Sequence, residues 1–284
     1  MDRLVVLHLE AVGCTAEAWL NGVPLARVEG KTAEAAPGVA PGTAPAAQPG
    51  TAASVNLPVH EFTLAGNNEL ALVLHPGPPG ASPSPEPRLS DGQCGASLRL
   101  LLPRMDSVAH PANARTLAQL DWAPAADAVY EAPLTLRKTV ELQIAFPRWR
   151  WLDAPVIADP AALKKDLAAY LLDIAIGLAK GNAEPLIQAS RLRLEELAQA
   201  YQRNLADDVA RLRQHIAQLH AAQPLKPTLP GAGGLLLRPV AGGRMLECLA
   251  ADGTPLLQSP LANGGRIAWP LRVAVVEGRF YVLR

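Results

Sequence analysis

The amino-acid sequence predicts an α+β protein built in two parts. Three observations carry this prediction: polar and apolar residues alternate in short runs over the first half, apolar residues recur every three or four positions over 159–223, and alternation returns over 232–284. Alternation is typical of half-buried strands, and the three-to-four spacing is typical of amphipathic helices. A chain of 284 residues is long enough for two domains, each with its own core.

The first part, residues 1–152, is predicted to form an antiparallel β-sandwich. Its strongest local signal is the Asn21-Gly22 pair, because Asn-Gly accepts positive φ at both central positions of a type I′ turn. We therefore expect a hairpin that joins Trp19-Leu20 to residues 23–25. Alternation predicts strands across residues 3–28, and alternation or short apolar runs predict further strands at residues 55–59, 62–64, 69–74, 97–102, 134–139 and 140–146.

Two segments rich in Pro, Ala and Gly interrupt this part, at residues 30–54 and 75–93. Neither segment has an apolar period, and neither has enough large side chains to offset the entropy lost on ordering. Both are predicted to be long loops.

Two short segments of the first part share a pattern with a known family. A strand ends in Leu-Asn-Gly at residues 20–22, and Gly-x-Asn-x-Leu at residues 66–70 leads into an apolar strand. This pattern resembles the galactose-binding-like, jelly-roll accessory domain of family 2 glycoside hydrolases. The resemblance implies a jelly-roll-like sandwich and, as one function, carbohydrate recognition. The Ala-Pro segment 30–54 departs from that family and no catalytic barrel follows, so hydrolase chemistry is not implied.

Residues 159–223 are predicted to form a helical hairpin. Asp159-Pro160 supplies an N-cap and a first helical residue, and the apolar period continues until Gly181, a natural helix end. Asn182 can cap a second helical stretch, which is either one long helix or two helices broken near 204–208. The short connection between the two stretches makes them antiparallel neighbours.

The last part, residues 232–284, is predicted to be a small antiparallel β meander packed with the helices. Asp252-Gly253 and Glu277-Gly278 are the turn signals of two tight hairpins. The expected strands cover residues 235–238, 244–250, 255–258, 266–269, 271–276 and 279–283.

Composition argues against several classes of partner. Lys and Arg number 26, Asp and Glu number 26, and the formal charge is zero, so no global field attracts nucleic acid or an anionic membrane. The sequence has no run of about 20 uncharged apolar residues, which a membrane-spanning helix needs. It also lacks a phosphate-binding glycine loop, so no cofactor is expected.

The cysteines and the first residues favour a bacterial, cytoplasmic protein. Cys14, Cys94 and Cys248 lie far apart without a CxxC pair, which argues against both a zinc site and a disulfide framework. The apolar run at residues 4–9 contains His8 and is short for a signal peptide. The Ala-, Pro- and Arg-rich composition is typical of a GC-rich bacterial genome.

One pattern that is similar to a cysteine-protease motif is better explained as a loop followed by a strand. Residues 92–97, Gly-Gln-Cys-Gly-Ala-Ser, are similar to the run that holds the nucleophile of papain-like proteases, with Ser97 in the nucleophile position. A papain nucleophile opens a helix, whose dipole lowers the thiol pKa. Ser97 instead opens a Leu-rich strand, so we expect a strand that follows a loop.

The histidines do not form a convincing catalytic or metal site. His215 and His220 are five residues apart, which on a helix turns them away from a shared face, unlike an i, i+4 metal pair. His60-Glu61 and the pair Asp106 and His110 lack a third partner, so both are assigned to surface loops. No catalytic residue is predicted.

The candidate binding residues are Arg148, Trp149, Arg150 and Trp151. In an extended chain the two tryptophans project to one face, a flat platform for a sugar ring or a partner side chain. The two arginines are then placed for cation–π or carboxylate contacts. The alternative is structural: these residues attach the sandwich to the helical part.

The predicted function is non-catalytic binding, as an adaptor, a chaperone-like protein or an immunity-type protein. A protein partner is expected on the Trp149 and Trp151 region and on the second helical stretch. The first helix is too short to cover the long apolar seam of that stretch, so the sandwich, the C-terminal strands or another chain must cover the rest. Carbohydrate binding by the sandwich is the alternative. A third hypothesis is an enzyme with a pocket in the C-terminal α+β part.

Overall fold

The computed structural model describes residues 5–31, 52–76, 88–89, 92–103, 112–143 and 148–284. The fold is mixed α and β, with antiparallel sheets and four helices among these residues, which confirms the predicted α+β class. The chain divides into two compact units, residues 1–145 and residues 146–284, whereas the sequence placed the boundary at 152. Most of the two expected loops, and the pair Asp106 and His110, lie outside the described residues.

The first unit contains two antiparallel sheets of four strands each. Its strands are β1 (Val6–Val12), β2 (Cys14–Leu20), β3 (Val23–Glu29), β4 (Ala53–Pro58), β5 (Gly66–Pro76), β6 (Arg88–Leu89), β7 (Gly95–Pro103), β8 (Ala114–Trp122), β9 (Val129–Tyr130) and β10 (Leu134–Leu142). The sheet orders are β4-β1-β7-β8 and β10-β5-β2-β3, and β6 pairs with β9. Alternate leucines of the central strands are fully buried, as expected for a β-sandwich: Leu7, Leu9, Leu70, Leu72, Leu74, Leu98 and Leu100.

Most strands of the first unit follow the sequence prediction, but residues 62–64 do not form the expected strand: a 3-10 helix covers His60–Phe62, and Thr63 and Leu64 lie outside any strand. The short strands β6 and β9 were not expected either. Asn21 and Gly22 have φ of 52° and 73° and join paired Leu20 and Val23, which confirms the hairpin. β8 was not expected, because it is an edge strand on which only Ala118 is buried and the apolar alternation is weak. The two strands expected over 134–146 form the single strand β10 in the described residues.

A buried asparagine joins the two segments that carry the family resemblance. Asn68 is fully buried, and its Nδ2 donates to the carbonyls of Leu64 and Gly66 at 2.8 and 2.9 Å. Its Oδ1 accepts from the Leu64 amide at 2.7 Å and from Asn21 Nδ2 at 2.8 Å. Asn21 Oδ1 in turn accepts from the Glu69 amide at 2.9 Å. Both side-chain amides therefore form hydrogen bonds with backbone groups that the turns would otherwise leave without partners.

We expect Asn68→Ala to lower the free energy of unfolding of the first unit by about 2 kcal/mol, because it removes a fully buried carboxamide that pairs with partly buried backbone groups of Leu64 and Gly66. The matched control is Asn67→Ala, which removes an exposed side chain from the same strand and should change stability by less than about 0.5 kcal/mol. Hydrogen–deuterium exchange of peptides covering β5, followed across a urea series, measures both. Equal effects of the two variants would contradict the structural role of Asn68.

The second unit combines helices with an antiparallel sheet and a separate hairpin. Its helices are α1 (Lys164–Ala179), α2 (Glu184–Ala189), α3 (Arg191–Ala200) and α4 (Leu205–Ala222). Its strands are β11 (Leu236–Val240), β12 (Met245–Leu249), β13 (Leu257–Pro260), β14 (Arg266–Trp269), β15 (Arg272–Val276) and β16 (Arg279–Val282). The sheet order is β11-β12-β15-β16, and β13 pairs with β14. All six strands lie within two residues of their predicted bounds. Asp252-Gly253 does not join paired strands, contrary to the expected hairpin, because β12 pairs with β11 and β15 whereas β13 pairs with β14.

The helical segment is divided more finely than the sequence indicates. Asp159 Oδ1 accepts from the amides of Ala161 and Ala162, yet α1 begins only at Lys164 after this capped turn. The second helical stretch is three helices rather than one or two. Asn204 caps α4 by accepting from the Ala206 amide at 2.8 Å, at the break that the sequence allowed, and a further break at Ser190 separates α2 from α3.

The long apolar seam of the second stretch is covered within the second unit. Ile216 of α4 is fully buried, and Val209, Leu212 and Leu219 pack partly buried against the same core. Leu205, at the start of α4, is 37% exposed. The structure therefore favours the second unit's own core over another chain as the cover of this seam, because that core reaches along most of the apolar face of α4. Among the described residues, no helix has both the length and the apolar character needed to cross a bilayer.

Candidate binding site

An open cavity lies in the second unit, between α1, α2 and β16. Its volume is about 560 Å³, which is within the range of small-molecule and peptide side-chain pockets. The residues that line it are Tyr170, Asp173, Ile174, Ile176, Gly177, Lys180, Asn182, Pro185, Gln188, Ala189 and Phe280.

The turn between α1 and α2 builds one wall of the cavity. Gly181, with φ of +67°, ends the helical segment, and the Gly177 carbonyl accepts from the amides of Lys180 and Asn182. Gly177 lies against the ring of Pro185, and a Cβ at position 177 would be 2.7 Å from Pro185 Cγ. The two helices can therefore approach closely at this point only because residue 177 has no side chain.

The floor of the cavity is apolar and carries one phenol. Ile174 and Ala189 are buried, and the rings of Tyr170 and Phe280 lie with their centroids 5.6 Å apart. The Tyr170 hydroxyl donates to the Ala189 carbonyl at 3.5 Å. Burial raises the pKa of Tyr170 above its usual value, so the phenol stays protonated and acts as a hydrogen-bond donor near neutral pH.

The rim carries opposite charges and two side-chain amides. Asp173 and Lys180 are both exposed, and seven residues of helix place them about 10 Å apart along α1. Asn182 and Gln188 add carboxamide groups, each with donors and an acceptor. Asn182 Oδ1 accepts from the Glu184 amide at 3.0 Å, which fixes the orientation of that carboxamide.

The cavity contains groups suited to binding and lacks a nucleophile with a paired base. No Ser, Thr, Cys or His is among the described residues that line it. Across the part of the chain that the structure describes, no three His, Cys, Asp or Glu side chains are close enough to hold a metal ion. The arrangement can recognise a ligand that is apolar at one point and carries polar or charged groups around it.

The two tryptophans of the predicted site lie inside the second unit. Trp149 is 1% exposed and Trp151 is 2% exposed, and residues 150–152 form a 3-10 turn rather than an extended strand. Neither ring forms an exposed platform, and their burial favours the structural alternative that the sequence left open for the two tryptophans. The local pattern could not show this, because the partner of Trp149 is the distant Arg284, whose guanidinium lies 4.8 Å from the ring centroid.

The two arginines of the predicted site stay exposed and pair with carboxylates of the same unit. Arg148 Nε contacts both oxygens of Asp153, at 2.9 and 3.0 Å, and this contact holds the pKa of the Asp153 carboxyl below its usual value. Arg150 Nη2 lies 3.1 Å from Glu195 Oε2, while its backbone amide donates to Glu196 Oε1. None of the four predicted residues lines the cavity.

The other candidates from the sequence have structural positions. Ser97 lies inside β7, as expected. His215 is exposed on α4, and His220 Nδ1 accepts from the Leu225 amide at 3.3 Å. His60 is 6% exposed in a 3-10 helix and accepts the Val5 amide, so its assignment to a surface loop is wrong.

Sequence reasoning missed the cavity because its lining comes from segments far apart in the chain. The available signal was Gly177, a glycine inside an otherwise helical pattern, which marks a close approach of two elements. Nothing in the local period identifies Phe280, more than 100 residues away, as the opposite wall.

Known proteins provide no assignment for this geometry. Comparison of the chain with protein-family models, with curated proteins and with solved structures finds no match.

Proposed function

We propose that this is a non-catalytic binding protein whose second unit holds a short segment of a partner protein in the cavity between α1, α2 and β16. The observation that carries the proposal is the lining itself: an apolar floor, side-chain amides and opposite charges on the rim, and no Ser, Thr, Cys or His among the described residues that line the cavity. Such a cavity recognises shape and hydrogen bonds and does not by itself break a covalent bond.

The side-chain amides favour a peptide as the occupant. A peptide group offers one donor and one acceptor, and the carboxamides of Asn182 and Gln188 offer the same complement. Gln188 is exposed and makes no side-chain hydrogen bond within the described ranges, so its carboxamide is available to an incoming backbone. The neutral net charge of the chain also favours a protein over a nucleic acid.

The apolar and charged groups of the cavity determine which types of side chain the partner segment would carry. An apolar side chain would contact Ile174 and Phe280 on the floor, and Ile176, which is 39% exposed, extends this surface outward. A basic and an acidic residue on either side would lie opposite Asp173 and Lys180.

The proposal is tested with a peptide library displayed on phage and selected on the full chain. We expect enrichment of segments with one apolar residue flanked by charges, and Ile176→Glu should weaken a selected peptide at least about tenfold in calorimetric titration, because it places a charge on the apolar surface. The matched control is Leu229→Glu, at a residue that is 62% exposed and does not line the cavity, which should change affinity less than about twofold.

The same titration examines the residues predicted from the sequence. The variant Arg148→Ala with Arg150→Ala keeps both tryptophans and changes only the exposed side chains. If this double variant binds the peptide more weakly while Ile176→Glu binds it as tightly as the wild type, the binding surface includes the arginines and not the cavity. Equal affinity in all variants, or no enriched peptide, would exclude the cavity as a peptide site.

Carbohydrate recognition by the first unit is the second candidate. It is supported by the resemblance of residues 20–22 and 66–70 to the jelly-roll accessory domain and by the T-shaped pair Trp122 and Tyr130, whose ring centroids are 5.7 Å apart. Both rings are half-buried, which leaves less aromatic face for a sugar than a stacking platform needs. A glycan array probed with the full chain and with Trp122→Ala separates the two candidates.

A further inference from the structure

Two cysteines of the first unit meet where β1 ends and β7 begins. Val12, the last residue of β1, pairs with Gly95, the first residue of β7. Cys14 follows Val12 after the Gly13 turn, and Cys94 directly precedes Gly95. The antiparallel register therefore brings together two cysteines that are 80 positions apart in the chain.

The thiols make reciprocal hydrogen bonds across this junction. Cys14 Sγ donates to the Gly95 carbonyl at 3.5 Å, and Cys94 Sγ donates to the Gly13 carbonyl at 3.2 Å. Each thiol thus contacts the residue next to the other cysteine. Because the Gly13 carbonyl is joined to Cys14 through one peptide bond, Cys94 Sγ lies at most about 7 Å from Cys14 Cα.

The backbones also approach each other closely at this junction. A Cβ on Gly13 would lie 3.5 Å from Cys94 Cα, so the two chain segments are in van der Waals contact at this point. Disulfides join cysteines whose Cα atoms are about 4.4–6.8 Å apart. Rotation of the side chains about χ1, without separation of the strands, is the movement that would bring the sulfurs together.

The two thiols differ in access to solvent. Cys14 is fully buried, whereas Cys94 is partly exposed. Burial first, and the nearby Cys94 second, raise the pKa of Cys14 to about 11. An oxidant from solvent therefore reaches Cys94 first, and Cys14 is the second thiol to react.

We propose that Cys14 and Cys94 are a reversible oxidation site that forms an intramolecular disulfide with a hydroperoxide as the oxidant. Cys94 Sγ attacks one peroxide oxygen, the O–O bond breaks, and water leaves when hydrogen peroxide is the oxidant, which gives a sulfenic acid. Cys14 Sγ then attacks the Cys94 sulfur, the S–O bond breaks, a second water leaves, and the S–S bond forms. The two sulfurs together lose two electrons, which the peroxide gains.

The bond would link the two sheets of the first unit. β2 belongs to the sheet β10-β5-β2-β3, and β7 belongs to the sheet β4-β1-β7-β8. The disulfide would also close a long loop of the chain, which restricts the unfolded state and stabilises the folded one. The site is independent of the cavity in the second unit, so its failure would leave the proposed function untouched.

The test is intact-mass analysis of the full chain before and after hydrogen peroxide. We expect a loss of about 2 Da that dithiothreitol reverses, and peptide mapping should join Cys14 to Cys94. The first unit should also unfold at a temperature higher by about 5 °C or more. Cys248→Ser is the matched control: this cysteine is buried in the second unit, and its loss should leave the mass change intact.

Cys94→Ser should abolish the mass loss, and because Cys94 is partly exposed this variant is expected to fold. Mapping of the wild-type chain decides the question even where a variant is unstable. Gain of oxygen at Cys94 without a cross-link, a Cys94 dimer between two chains, or a link that involves Cys248 would each overturn the proposal.

Discussion

Replacement of Trp149 by alanine is expected to destabilise the second unit by about 3–5 kcal/mol. The indole is 1% exposed, so its removal leaves a cavity the size of a bicyclic ring in the interior. It also removes the aromatic face from the guanidinium of Arg284, which lies 4.8 Å from the ring centroid and whose side chain is fully buried. Without the indole, less of the free energy that is lost by removing the Arg284 guanidinium from water is recovered, and the folded state is destabilised.

The measurement is urea unfolding followed by circular dichroism at 222 nm. The described α-helices all belong to the second unit, so this signal reports on that unit. Trp149→Phe is the control, because it retains an aromatic face for Arg284 and leaves a smaller cavity, and it should cost clearly less than the alanine variant. A loss below about 1 kcal/mol for Trp149→Ala would show that the ring is accessible in solution and would contradict its burial.

Replacement of Glu196 by alanine is expected to cost about 3–5 kcal/mol, because it leaves a buried guanidinium without its carboxylate. Glu196 is 5% exposed, and its Oε2 lies 3.1 Å from Nη1 of Arg284. Its Oε1 also accepts the backbone amide of Arg150. One carboxylate therefore binds both Arg284 and the turn next to Trp149.

The neighbouring Glu195 provides the matched control. Its side chain is 29% exposed and pairs with Arg150 at 3.1 Å and with Arg191 at 3.0 Å. Exposed pairs contribute little, so Glu195→Ala should cost less than about 1 kcal/mol in the same urea titration. The double variant Glu196→Met with Arg284→Met should recover much of the stability lost by Glu196→Ala, since it removes both charges. Similar losses for the two glutamates would contradict the burial of Glu196.

The contacts of Trp149 and Glu196 favour a structural role for the tryptophan-rich segment, residues 148–151. From the sequence, a run of two tryptophans and two arginines indicates either a binding platform or a structural attachment. In the structure, Trp149 lies against Arg284, and the amide of Arg150 binds Glu196 from α3. The segment anchors the second unit internally, and the candidate binding site is the cavity elsewhere in that unit.

Local physics explains which parts of the fold could be predicted. The turn Asn21-Gly22 and the turn Glu277-Gly278 adopt positive φ at both residues, as Asn-Gly and X-Gly pairs favour, and each joins paired strands. The strand β8 escaped prediction because an edge strand with few buried positions carries little alternation. The break at Ser190 was not predicted, because both flanking helices keep the same apolar period.

The sequence by itself determined the α+β class, the positions of most strands and helices, and the turns that join them, because periodicity and turn chemistry act between residues a few positions apart. Tertiary structure alone decided that Trp149 faces inward, that Phe280 closes a cavity against α1, and that Cys14 meets Cys94. Each of these depends on a contact between residues about 80 or more positions apart, and packing of whole elements selects such contacts.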